Sequence, residues 1–168
     1  MFKEFIRYVS LNVISMLGIS VYILCDTYFI ANGIGTDALS GLNLVLPVFN
    51  FIYAVGLMIG MGTATKYSVL VGAGKQSEAI SYELHGILFS LIVGAFFTIV
   101  GYTYTPELST LLGADEVLFP YAKDYIGTIF LFAWSLILNN LVICISRAAG
   151  HPKLATTASL FSSFSNLC

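Results

Sequence analysis

Asp26 is the only charged side chain between Arg7 and Asp37, inside a run of residues long and apolar enough to cross a bilayer. A carboxylate at the centre of a membrane helix costs about 2.5–3.5 kcal/mol on the insertion scale, so an acid in that place reads as functional by default. It must be protonated, paired or hydrated. No Lys or Arg lies at a comparable depth, which makes a proton or a cation its natural partner, and proton exchange near neutral pH is within reach of such a group. Stepping back from Asp26 at helical spacing gives Tyr22, Ile19, Ser15 and Asn12, so one side of the first helix is polar for most of its length. Tyr22 and, near the end of the chain, Asn166 are the candidate co-ligands for a proton or cation held at Asp26.

Three later runs carry similar stripes. The second has Ser40, Asn43, Pro47, Asn50 and Tyr53; the fourth has Ser135, Asn139 and Ser146, with Asn140 beside them; the last has Ser159, Ser162, Ser163 and Asn166. Together these stripes predict one hydrated cavity, with Asn43, Asn50, Tyr53, Asn139 and Asn140 as candidate lining. The competing explanation is that single Asn and Ser side chains join helices, at about 0.6 kcal/mol per contact. Phe29, Phe49, Phe51 and Tyr53 offer aromatic surface to an apolar cation. Pro47 removes a backbone donor in mid-span and predicts a helix kink. Gly56, Gly60 and Gly62 form a small-residue patch suited to close helix approach.

Other chemistries find little support. No nucleophile, acid and base stand together, so an enzyme is not expected. His85 and His151 are single and distant, and Cys25, Cys144 and Cys168 sit unpaired in apolar segments, which argues against metal sites and disulfides. The stretch from Gly72 to Ser77 suggests a phosphate loop, but Val69 replaces its first glycine and Gln76 the hydroxyl residue after the lysine. No cofactor is expected beyond a coupling proton or sodium ion.

The elements that position these groups follow from composition. With 58% hydrophobic and 10% charged residues and a mean hydropathy of +0.90, the chain has too little polar surface for a soluble globule. The uncharged stretches match the roughly 20 residues needed to span a bilayer and are too continuous for barrel strands. They predict an all-α membrane protein, a polytopic helix bundle with four complete transmembrane helices and the start of a fifth, at about 8–33, 38–66, 84–106, 121–146 and 154–168. Lys3 and Arg7 precede the first run, which is too long for a signal-peptide core and is read as a retained helix. A cytoplasmic N-terminus puts every Lys and Arg except Lys123 on the inner side, as the positive-inside rule requires. The net charge of −2 and the lack of a basic cluster give no reason to expect a nucleic acid partner.

Taken in order, Tyr22-x-x-x-Asp26-Thr27-Tyr28-Phe29, Gly33-x-Gly35, Ala38-Leu39, Leu46-Pro47-Val48-Phe49 and Gly56-x-x-x-Gly60 resemble the opening of the multidrug and toxic compound extrusion (MATE) family. The likeness continues through Gly72-x-Gly74, Leu111-Leu112-Gly113-Ala114, Asn139-Asn140, Arg147-x-x-Gly150 and Asn166. Lys66 to Leu70, taken with Asp26-Thr27, looks closest to the MepA-like bacterial branch. The resemblance implies one domain over residues 1–168, an incomplete N-terminal lobe of a transporter whose C-terminal half is missing. It implies a bacterial cytoplasmic (inner) membrane location, with antiport of cationic, drug-like amphipaths against protons or sodium. It also implies that Asp26 is the first-helix coupling acid and that Asn166 is the fifth-helix asparagine near it. Two rivals remain at this stage: a non-transporting truncated scaffold, and a lipid-linked oligosaccharide flippase, whose cavity would be expected to carry Arg and Lys for phosphate.

Overall fold

The computed structural model describes residues 2–33, 35–150 and 155–157. They form an all-α bundle: α1 (Phe2–Gly33), α2 (Thr36–Gly72), α3 (Gln76–Leu111), α4 (Phe119–Leu131) and α5 (Ala133–Ala148). Of the predicted last helix, 155–157 are helical, and 158–168 lie outside the described residues. α1, α2 and α3 are each long and apolar enough to cross a membrane, and α4 with α5, bent at their junction, is together long and apolar enough for a fourth.

α2 and α3 run past their predicted ends because nothing in the flanking polar turns stops a helix until a glycine does. After α2, Lys75 N donates to Leu70 O at 2.9 Å and Gly74 N to Val71 O at 3.0 Å. This is a Schellman closure, and it requires the left-handed backbone that Gly74 adopts at φ 75°. Gly113, at φ 92°, closes α3 in the same way.

The run expected to be one helix over 121–146 is divided. α4 and α5 meet at Phe132 with a bend of 51°. Neither Pro nor Gly stands at the break. Instead α3 supplies an outside partner: Thr98 Oγ1 donates to the Phe130 carbonyl at 3.0 Å as well as to Gly94 O in its own helix at 3.1 Å. In hydrocarbon, a carbonyl released from its helix needs such a donor.

α3 packs through small side chains. Its buried residues are Ala79, Gly86, Ser90, Gly94, Gly101, Thr105 and Ser109, while Phe89, Ile92, Phe96, Ile99 and Tyr102 point outward. The stripe meets three helices in turn. A Cβ on Gly86 would lie 2.6 Å from Thr63 of α2, and one on Gly94 or Gly101 would overlap Trp134 of α5 or Phe130 of α4. Bulky residues outside and small ones inside suit a helix whose solvent is lipid, since burial against lipid gives no hydrophobic gain and backbone approach does the packing. The larger core side chains, including Val45, Ile52, Ile126, Ile137 and Leu141, come from α2, α4 and α5.

Candidate functional site

α1 carries Asp26 and Tyr22 on helical backbone and packs against α2 alone among the described elements. The side chains of Asp26 and Tyr22, like the whole of Asn166, lie outside the described residues. The candidate site is therefore built on the α2 and α5 residues.

α2 has two unlike faces. Ala38, Gly41, Val45, Ile52, Gly56, Ile59 and Gly60 are buried at helical spacing. Ser40, Asn43, Pro47, Asn50 and Tyr53 lie on an exposed face of the same helix. α2 runs through Pro47 as one assigned helix. On the open face, Ser40 Oγ returns its proton to Thr36 O at 2.9 Å, and Phe49 and Tyr53 stack with ring centroids 6.1 Å apart at 20°. Phe29 and Phe51, also proposed as aromatic surface, are exposed but meet Tyr28 and Phe97 edge-on.

The buried face of α2 is closed by α5. A Cβ on Gly56 would stand 3.1 Å from Ile137 Cα, and one on Gly60 would stand 3.1 Å from Asn140 O and 3.2 Å from Leu141 Cα. At both positions α5 must give by a few tenths of an ångström to admit even one added carbon. Gly62, grouped with them by sequence, has nothing within 4 Å of an added Cβ, because two residues along a helix point some 200° away.

The paired asparagines of α5 separate. Asn139 is exposed, as is Ser135 one turn earlier. Asn140, expected to line a cavity with them, is 3% exposed and sits in the seam instead. Its Nδ2 donates to Leu136 O at 3.1 Å and lies 3.0 Å from the position of a Gly56 Cβ. Adjacent helical residues point about 100° apart, so only one of the pair can share the open side.

Thr98 and the α3 stripe are not visible in the sequence pattern. A Thr is unremarkable in an apolar run, and the stripe shows only when small residues, rather than polar ones, are followed at helical spacing.

The open face of α2 thus presents two amides, a phenol and a stacked ring pair, with no Lys, Arg, Asp or Glu among them. Such a surface can coordinate through carbonyl oxygens, donate hydrogen bonds and stack on planar groups.

The family model described as MatE matches residues 12–168. The "FAD transporter" of Shewanella oneidensis is 31% identical over 114 residues, covering 68% of this chain and 25% of its own length. "Multidrug export protein MepA" of Staphylococcus haemolyticus is 26% identical over 161 residues, covering 96% of this chain and 36% of its own. Among solved structures, a MOP superfamily transporter from Pyrococcus furiosus, described as having a binding pocket of reverse polarity that suggests a different function, superposes with a TM-score of 0.90 at 26% identity. That match covers 96% of this chain and 36% of the other. The chain spans about a third of the length of such relatives, or less.

Proposed function

This chain belongs to the MatE family and is a multi-pass membrane protein, and we propose on that premise that it forms the N-terminal part of a secondary exporter of cationic, amphipathic compounds. The observation that carries the reading is the division of α2 into a sealed face and an open face of Asn43, Asn50 and Tyr53. An uncharged polar face with stacked aromatics suits a planar cation, which gains from ring contact and meets no fixed positive charge. Asn139 contributes from α5.

In this reading Asp26 binds the coupling proton or sodium ion, with Tyr22 and Asn166 as co-ligands. Occupancy of that site changes the relative stability of outward-open and inward-open states, which is all a coupling ion has to do. The remaining helices of the transporter complete the pathway. In this reading the N-terminus lies on the cytoplasmic side of a bacterial inner membrane, an orientation that the distribution of Lys and Arg supports.

The test is ethidium efflux from a bacterium lacking its own exporters, comparing residues 1–168 with the complete transporter under an imposed cation gradient. Efflux from the complete protein supports the reading, and efflux from neither favours a scaffold or another substrate class.

A second reading has its own support. The likeness to the Shewanella protein, with the Phe49 and Tyr53 stack, fits export of a flavin dinucleotide. The open face of α2 lacks any cation to receive a pyrophosphate, so the cationic reading is preferred. FAD accumulating in the medium without ethidium efflux would reverse that preference.

A further inference from the structure

A groove of about 620 Å³ runs between α2 and α3 beside their connecting turn, away from the open α2 face. Its lining is graded along the bundle. Glu78, Lys66 and His85 line the part nearer the turn, and Phe89 lies deepest along α3. At 1.5 Å per residue, Lys66 stands about 9 Å from the end of α2, and His85 about 14 Å and Phe89 about 20 Å from the start of α3. α2 has 37 residues, a length of about 55 Å against a hydrocarbon core of about 30 Å. The helix ends at this turn therefore stand in the headgroup layer, and the Phe89 end of the groove reaches acyl chains.

The charges in this groove are not balanced. Lys75 Nζ holds Glu78 Oε1 at 2.9 Å, while Lys66 forms no ion pair among the described residues. His85 Nδ1 lies 2.6 Å from Ser81 O, its own helix carbonyl. A carbonyl oxygen only accepts, so Nδ1 carries the proton in that contact, and in the neutral ring Nε2 is then the acceptor. The groove thus offers a cation with no ion-pair partner among the described residues, a hydrogen-bonding imidazole on the facing helix, and an apolar wall below.

We propose that the groove binds an anionic phospholipid of the phosphatidylglycerol type from the leaflet at the α2–α3 turn. Lys66 pairs with the phosphodiester, a headgroup hydroxyl donates to His85 Nε2, and an acyl chain lies along Phe89. This site is independent of the transport reading, because binding needs only the membrane and these two helices.

The test is native mass spectrometry of the purified protein in detergent, titrated with phosphatidylglycerol and with phosphatidylcholine. A saturable single adduct is expected for phosphatidylglycerol. Lys66→Gln weakens it about fivefold, the factor expected for one juxtamembrane cation, while Lys66→Arg retains it. Lys66 is exposed, so the fold is not at stake. Glu78→Gln frees Lys75 and strengthens binding. Equal affinity for the two lipids, or Lys66→Gln binding like the parent, overturns the proposal. Displacement by an equal concentration of inorganic phosphate also overturns it, because the site would then serve a soluble anion. A Lys66→Cys thiol that resists maleimide in lipid-free micelles would show that protein, not lipid, fills the groove.

Discussion

The two faces of α2 are made from the same helix and obey different rules. On the seam, Gly56 and Gly60 bring the backbone against α5 so closely that a single added carbon must displace Ile137, Asn140 or Leu141. On the other side Asn43, Asn50 and Tyr53 touch no such limit. In water this contrast would be between a greasy face and a polar one. Here it is between a face where residue size is constrained and a face where residue chemistry is free to vary. At the closest approach the packing residues are glycines, because backbone contact rather than burial of bulk holds helices together in lipid, while Val45, Ile52 and Ile59 fill the rest of the sealed face.

Substitutions separate the roles of the two faces. The largest effect belongs to neither face of α2 but to the helix beside it. Asp26→Asn in the complete transporter is expected to abolish gradient-driven ethidium export while leaving membrane insertion intact, read by fractionation; export at the parent rate would remove the coupling role. Next come changes to the packing surfaces. Gly60→Val, or Gly94→Val in the α3 stripe, should destabilise the bundle by about 1–3 kcal/mol through overpacking, seen as a lower midpoint in detergent unfolding. An unchanged midpoint would mean that the close approach is not maintained in solution.

A smaller and opposite pattern is expected on the open face. Asn50→Ala should lower export several-fold with no shift of the unfolding midpoint, because Asn50 is exposed and no packing depends on it. A stability loss there without an export loss would exchange the roles of the two faces. The smallest effect should come from Gly62→Ala. With nothing within 4 Å of the new carbon, the change is neutral or stabilises by up to about 1 kcal/mol through helix propensity. Comparing Gly60→Ala with Gly62→Ala isolates packing from propensity at sites two residues apart.

Much of the helical order was legible because span length and apolar continuity are properties of one segment at a time. The stripe of Asn43, Asn50 and Tyr53 was legible for the same reason, as periodicity alone places those residues together. What escaped depends on a second helix. The break at Phe132 has no Pro or Gly to announce it and shows itself only through Thr98, 34 residues earlier in sequence. The separation of Asn139 from Asn140 follows from which side of α5 meets α2, and Gly62 looked equivalent to Gly60 until the partner's position was known. Local pattern tells which residues share a face; contact with another chain segment decides which face is sealed.

The most direct test of the two-faced helix is cysteine accessibility in the complete transporter, in intact membranes, with Cys25, Cys144 and Cys168 replaced by serine. Single cysteines at Asn50 and at Val45 would be challenged with a small hydrophilic thiol reagent, with and without ethidium. The account predicts that Asn50→Cys reacts and is protected by ethidium, while Val45→Cys stays unreactive. Labelling at Val45 with an unreactive Asn50 would contradict it, because the sealed face of α2 would then be the one that meets water.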